Sequence, residues 1–259
     1  MKKYVNLLMA VFSLSLFLIA CNGDETKSSD TKMDSSANKM SANDTAAKNT
    51  GMDAVTVAPG LYKVAKDTMG IRVLEVNYKP GDSSAMHSHP DNVLYVIEGG
   101  KSEFTAQDGS KQVHELKAGT VMILPGGTHS VKNIGTTTTK AILFEVNRPN
   151  KAGAAPDASM DPLKVAPELY KLVKDTMNIR VLMGTYKPGA QSAMHAHPDN
   201  AIYIVEGGTS EMTMKDNTKQ QMQLAIGMIA VSPAGSHAVK NVGKAETKVL
   251  IVEVNRPQQ

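Results

Sequence analysis

Tryptophan is absent from this 259-residue chain, and aromatic residues make up only 4% of it. A core built from it must rest on Val, Ile, Leu and the 16 methionines. One cysteine is present, which excludes an intramolecular disulfide. Neither sign of charge dominates: 28 basic against 25 acidic side chains leave a formal +3. That balance gives no electrostatic reason to expect a nucleic-acid partner. No nucleophile elbow, Walker loop or CxxC pair occurs. The length suits two modest domains or one large one.

What is present begins with a targeting segment. Lys2 and Lys3 precede an almost wholly apolar stretch, Val5 to Ala20, with the form of a secretory signal. Leu18-Ile19-Ala20-Cys21 resembles the lipobox of bacterial lipoproteins, a resemblance that implies cleavage before Cys21 and lipid attachment to it. Acyl chains contribute about 0.8 kcal/mol per buried CH2, enough in combination to hold a protein on a membrane. Residues 22–53 are rich in Ser, Asp, Asn, Lys and Thr without apolar period, the composition of a disordered tether. Asp24-Glu25 resembles the export signal of surface lipoproteins in some Bacteroidota. The expected location is therefore the bacterial cell envelope, lipid-anchored, at the outer membrane and facing outward.

The rest is an internal repeat. Val57 to Pro149 aligns with Val165 to Pro257 without a gap, and "KDTM", "YKPG" and "EVNRP" occur once in each. A repeat of this length is a whole domain. The expected organisation is signal 1–20, lipidated cysteine and tether 21–53, domain one 54–149, an Ala/Gly/Pro-rich linker 150–162 and domain two 163–259. Each domain reads as all-β. In the first, strands are expected at Ile71–Tyr78, Val93–Glu98, Ser102–Ala106, Val121–Leu124 and Ala141–Val146, punctuated by "KPGD", "EGG", "QDGS", "KAGT" and "PGGT". Val93–Glu98 is apolar on both faces, as is Ala201–Val205. A sheet with a solvated face would alternate with polar residues. The outer face is thus expected to be covered, most simply by the sister domain.

Six of the seven histidines form equivalent pairs: His87/His195, His89/His197 and His129/His237. Residues two apart on a strand share a face, so His87 and His89 converge. His129, beside a Pro-Gly turn, is placed to complete the site from a neighbouring strand. Imidazole nitrogen suits Zn, Fe, Cu, Ni and, less exclusively, Mn. Three histidines with open positions make a reactive metal centre.

These motifs resemble the cupin superfamily. Gly81 is followed by five residues, then His87-Ser88-His89 and "PDNVLYVIEG"; Gly119 is followed by five residues, then "PGGTHSVKN". The second half repeats both, from Gly189 and Gly227. The resemblance implies two jelly-roll-like β-barrels in tandem, a bicupin, each holding a divalent transition metal through the motif histidines. Two departures stand out. Asn92 and Asn200 occupy the place of the family's glutamate, and one residue instead of two separates the third histidine from its glycine. Asparagine brings a neutral carbonyl oxygen where glutamate brings charge. A three-imidazole site leaves the +2 of an ion uncompensated and favours an anionic or oxygen-donor ligand.

Other residues carry plainer expectations. Asp91 and Asp199 fit Asx-type turns, Glu98 and Glu206 rim charges, and Met86 and Met194 pocket packing. Arg72/Arg180 and Arg148/Arg256 fit surface pairing at strand ends, and Tyr62/Tyr170 and Tyr78/Tyr186 fit core or inter-domain contacts. Three functions remain open, the plainest being a structural role in which two degenerate barrels form an interaction platform. Another is a metal-dependent oxidoreductase of dioxygenase type, with Asn92 and Asn200 as additional ligands or pocket residues. The third is a non-catalytic surface module that binds a metal, sugar or small anion. The expected partners are a small-molecule ligand, the membrane, and the sister domain. Replacement of Cys21 by serine is expected to move the protein from the membrane to the soluble fraction; unchanged fractionation would count against the anchor.

Overall fold

The computed structural model describes residues 52–258; the leader, Cys21 and most of the tether lie outside the described residues. In the first half a short helix, α1 (Ala54–Val57), precedes nine strands. These are β1 (Tyr62–Thr68), β2 (Ile71–Tyr78), β3 (His87–His89), β4 (Asn92–Glu98), β5 (Gly100–Ala106), β6 (Lys111–Leu116), β7 (Val121–Leu124), β8 (Gly127–Asn133) and β9 (Thr139–Val146). They form two antiparallel sheets facing each other, ordered β1-β2-β9-β4-β7 and β3-β8-β5-β6. The second half repeats this with α2 (Pro162–Val165), β10 (Tyr170–Thr176), β11 (Ile179–Tyr186), β12 (His195–His197), β13 (Asn200–Glu206), β14 (Gly208–Met214), β15 (Lys219–Leu224), β16 (Ile229–Ser232), β17 (Gly235–Asn241) and β18 (Thr247–Val254). Two jelly-roll sandwiches in tandem result. Among the described residues no helix is long and apolar enough to cross a membrane.

All five expected strands of the first half are present, three of them starting one or two residues early. The four unforeseen strands lack the apolar alternation that periodicity can detect. Lys111–Leu116 is almost wholly exposed, and His87–His89 is three residues long. The motif glycines explain themselves locally. Gly81 and Gly119 turn with φ of +87° and +82°, a region that L-residues with a Cβ rarely enter. A Cβ on Gly99, the closing glycine of the first motif, would lie 2.3 Å from the Leu116 carbonyl oxygen.

The large sheet of each half is apolar on both faces, as its two-faced β4 and β13 required. Leu74, Leu94 and Leu143 point into the first sandwich, and Leu182, Ile202 and Ile251 into the second. The alternate residues point outward and meet: Val73, Val93, Tyr95 and Phe144 join Val181, Ala201, Tyr203 and Val252 in one continuous core. The rings of Tyr95 and Tyr203 lie 5.6 Å apart. The sister domain does cover the outer face, so each half shields the other's sheet from water.

A reciprocal clasp seals this joint. Arg148 Nη1 donates to the carbonyl oxygen of Arg256 at 2.9 Å, and Arg256 Nη1 returns the bond to Arg148 at 3.1 Å. Arg148 also pairs with Asp199, and Arg256 with Asp91. The two arginines are 4% and 3% exposed, so strand-end surface pairing is corrected to buried cross-domain pairing. The aspartates are corrected too. Each binds a backbone N–H of a distant loop, Gly126 or Ala234, instead of closing a local Asx turn. Arginine suits the place because its planar fork serves several acceptors at once.

Arg148→Ala strips donors from Asp199 and from two carbonyls. Breaking a buried pair of this kind costs about 3 kcal/mol. Urea unfolding should show a lower midpoint. Arg148→Ala/Asp199→Ala should cost less than the two single changes summed, because the partners share one interaction.

Candidate metal centres

His87 and His89 lie on β3, one residue apart, on the face that looks into the sandwich. In the antiparallel register of β3 with β8, His129 stands directly opposite His87. The shortened spacing after Gly127 therefore does not keep His129 away. Pro90 and Pro125-Gly126 bound the two strands, and Asp91 Oδ1 accepts the Gly126 N–H at 2.8 Å and ties their loops together. The ring centroids of the three histidines are 4.8, 4.8 and 5.3 Å apart. One ring nitrogen from each lies within 4.8 Å of the other two. His195, His197 and His237 repeat the cluster from β12 and β17.

Hydrogen bonds select the nitrogen that each ring presents. His87 Nδ1 is 2.8 Å from the Ala85 carbonyl oxygen, which can only accept. The proton therefore sits on Nδ1 and the lone pair on Nε2. His89 Nδ1 is held at 2.6 Å by Glu145 Oε1 from β9, again leaving Nε2 free. Glu145 is fully buried and also accepts from Arg72, whose guanidinium reaches Asp53 at 2.6 Å. Asp53 in turn caps α1 by accepting the Val55 N–H. The second half contains the same chain: His197, Glu253, Arg180 and Asp161, the last capping α2. A carboxylate behind a ligand histidine fixes its ring and raises its basicity.

This outer carboxylate escapes the histidine motif, yet it has a sequence signal. Glu145 and Glu253 are lone acids inside otherwise apolar strands, "AILFEV" and "VLIVEV". An acid there needs a buried partner. Asn92 and Asn200 lie in strand register with these glutamates. The carboxylate missing from the asparagine position is thus present one strand away, behind the histidine.

Burial favours the neutral ring at His87, His129, His195 and His237. It lowers the pKa of His129 and His237 to about 3 each, helped by repulsion from the neighbouring histidines, and that of His195 to about 4. His87 moves the same way, first through burial. Neutral imidazoles offer the lone pairs that a cation requires.

Each cluster faces a largely apolar cavity. The first, of about 250 Å3, is lined by His89, His129, Asn92, Leu94, Phe104 and Leu143, among others. The second is about 360 Å3 and carries Met212, Met214 and Met222 near His197 and His237. The pocket thioethers are therefore these three; neither cavity lining includes Met86 or Met194. Asn92 Nδ2 donates to the Pro90 carbonyl, while its buried Oδ1 has no partner. Asn200 makes the matching bond to Pro198. Tyr62 and Tyr78 belong to the core and carry their hydroxyls to the cluster: Tyr78 Oη donates to Tyr62 Oη, which is 3.0 Å from His87 Nε2. Glu98 and Glu206 sit at the surface paired with Lys140 and Lys248, as rim charges.

A family model described as a cupin domain matches residues 74–145 and again 182–253. No curated protein matches the sequence. Solved structures share the fold at low identity. AerE from Microcystis aeruginosa is 16% identical with a TM-score of 0.52 over 75% of this chain and 97% of its own. A Bacillus subtilis oxalate decarboxylase, described by its Mn(II) centres, gives 16% and 0.52 over 73% and 70%. A salicylate 1,2-dioxygenase from Pseudaminobacter salicylatoxidans gives 12% and 0.50 over 72% and 71%. At such identities the likeness establishes the fold.

The depressed histidine pKa values set the sign of a pH response. Between the ordinary value near 6.5 and about 3, the unfolded chain binds protons that the folded metal-free protein refuses. Stability is fully present above pH 6.5 and falls as pH drops through that window. The urea midpoint of metal-free protein should fall between pH 7 and pH 4, with a shallower slope in His129→Asn/His237→Asn. An equal slope would contradict the assignment.

Proposed function

The chain belongs to the cupin-domain family, once in each half, and from that premise we propose that each half binds a divalent transition metal through its three histidines. Held there, such an ion would supply oxidoreductase chemistry of dioxygenase type to a small oxygen-bearing molecule. The observation that carries this reading is the convergence of three imidazoles, one backed by a buried carboxylate, on an apolar cavity. The residues fit an ion: the donor set is all nitrogen, and a buried Asn92 oxygen lacks a hydrogen-bond partner. Imidazole donors suit Fe, Zn, Ni and Cu and, less exclusively, Mn. A bound ion would supply Lewis acidity and open positions for exogenous ligands.

The protein's own residues divide the remaining work. Glu145 and Glu253 orient His89 and His197. The apolar walls exclude water and accept a hydrocarbon body. Neither cavity lining includes an Asp or Glu. The nearest buried acid, Glu145, is committed to His89 and Arg72. The reaction class therefore needs no carboxylate base, which favours oxygen chemistry over decarboxylation assisted by an acid. The same scarcity supports a second reading: a non-catalytic module that holds a metal with a small anion or sugar. We infer a location at the cell envelope for either activity, on the lipobox-like stretch Leu18-Ile19-Ala20-Cys21.

Elemental analysis of purified protein from metal-supplemented growth is expected to find close to one transition-metal ion per domain, lost in His87→Ala/His195→Ala. Protein free of metal would sink both metal readings. Glu145→Gln/Glu253→Gln should weaken metal affinity by about 10- to 100-fold. Oxygen uptake with diketones, flavonols or thiols would then separate the enzyme from the binding module.

A further inference from the structure

We propose that the phenolic oxygen of Tyr62, and of Tyr170 in the second half, is a fourth protein donor to the ion. The inference rests on the metal reading above and goes beyond its histidines.

The starting point is one lone pair with two claimants. His87 Nδ1 gives its proton to the Ala85 carbonyl, so Nε2 carries the only lone pair that His87 can offer an ion. Tyr62 Oη stands 3.0 Å from that atom and donates to it. The second half is the same, with Tyr170 Oη 2.8 Å from His195 Nε2. An ion bound at Nε2 displaces this hydrogen bond. The phenol must then turn away or bind the ion itself.

Packing opposes turning away. Tyr62 is 4% exposed, its ring centroid 5.0 Å from His87, 5.5 Å from His89 and 5.9 Å from Tyr78. Its oxygen already accepts a hydrogen bond from Tyr78 Oη at 2.9 Å. Swinging the ring away would break the Tyr78 hydrogen bond and open these ring contacts inside a buried site. The alternative needs little movement. Donors of an ion with bonds of about 2.1 Å stand about 3 Å apart when at right angles and about 3.4 Å apart in a tetrahedron, and Tyr62 Oη already lies 3.0 Å from His87 Nε2.

Charge points the same way. Asn92 brings none, and Glu145 is neutralised by Arg72 behind the histidine. A phenolate would offset one of the ion's two positive charges from within the cavity. Tyr78 would steady it with a charge-assisted hydrogen bond. In this step the Tyr62 O–H bond breaks, its proton passes to solvent and an oxygen–metal bond forms. No electron is transferred.

Iron is the probe. Full-length protein is loaded with iron(II) without oxygen and then exposed to air, and the iron retained is counted by elemental analysis. Iron(III) bound by phenolate absorbs in the visible, and resonance Raman excitation into that band enhances tyrosinate vibrations. The expected result is a coloured wild-type protein with those vibrations. Tyr62→Phe/Tyr170→Phe should retain iron on its histidines and lose the band, while Tyr78→Phe should shift it without abolishing it. Iron-loaded wild type lacking both band and tyrosinate modes would overturn the inference while leaving the metal reading intact, with no variant required. A band unchanged in the double variant would overturn it too. Wild type that retains no iron or other metal would fail the metal reading and this inference together.

Discussion

A carboxylate without access to water organises each half. Glu145 lies inside an apolar strand, and an ionised acid there must be compensated on the spot. Arg72 supplies charge from the adjacent strand, and His89 supplies a ring nitrogen from the opposite sheet. Arg72 is steadied by Asp53, which also caps α1. One buried charge thereby links the first residues of the domain, the centre of the large sheet and the histidine cluster. The ring that could meet a metal is held in place by the same contacts that make the acid tolerable.

The second constraint is area. A sheet that is apolar on both faces needs two partners. The small sheet covers the inner face, and the sister domain covers the outer. Duplication answers the need directly, since the copy presents the same surface turned about a pseudo-twofold. The arginine clasp follows from that symmetry, with equivalent residues exchanging equivalent bonds. The clasp also uses Asp91 and Asp199, which anchor the loops beside the histidines. The joint and the two sites are mechanically continuous.

Within this symmetry the cavities differ. Met212 stands where the first half has Phe104, and Met222 where it has His114. The second cavity is larger and lined by thioethers, while its donors keep the same arrangement. Met side chains adapt to irregular shapes. Divergence has touched the walls of the cavity more than the cluster at its floor.

Much of this was legible in the chain. The gapless repeat set the number of domains, the turn glycines and β-branched runs set the all-β class, and the two-faced strand announced a covered sheet. His-x-His on a strand determined that two rings share a face, because side-chain direction alternates with a period of two. Strands such as Lys111–Leu116 stayed hidden because exposed polar strands have no apolar rhythm. Tertiary structure alone decided which partners cross from one strand to another. It put His129 opposite His87, Glu145 behind His89, and Tyr62 at the lone pair of His87. It also turned four expected surface or turn residues into a buried clasp. The physical reason is the same in each case: periodicity is local, whereas register between distant strands, and the compensation of a buried charge, exist only once the sheets have closed.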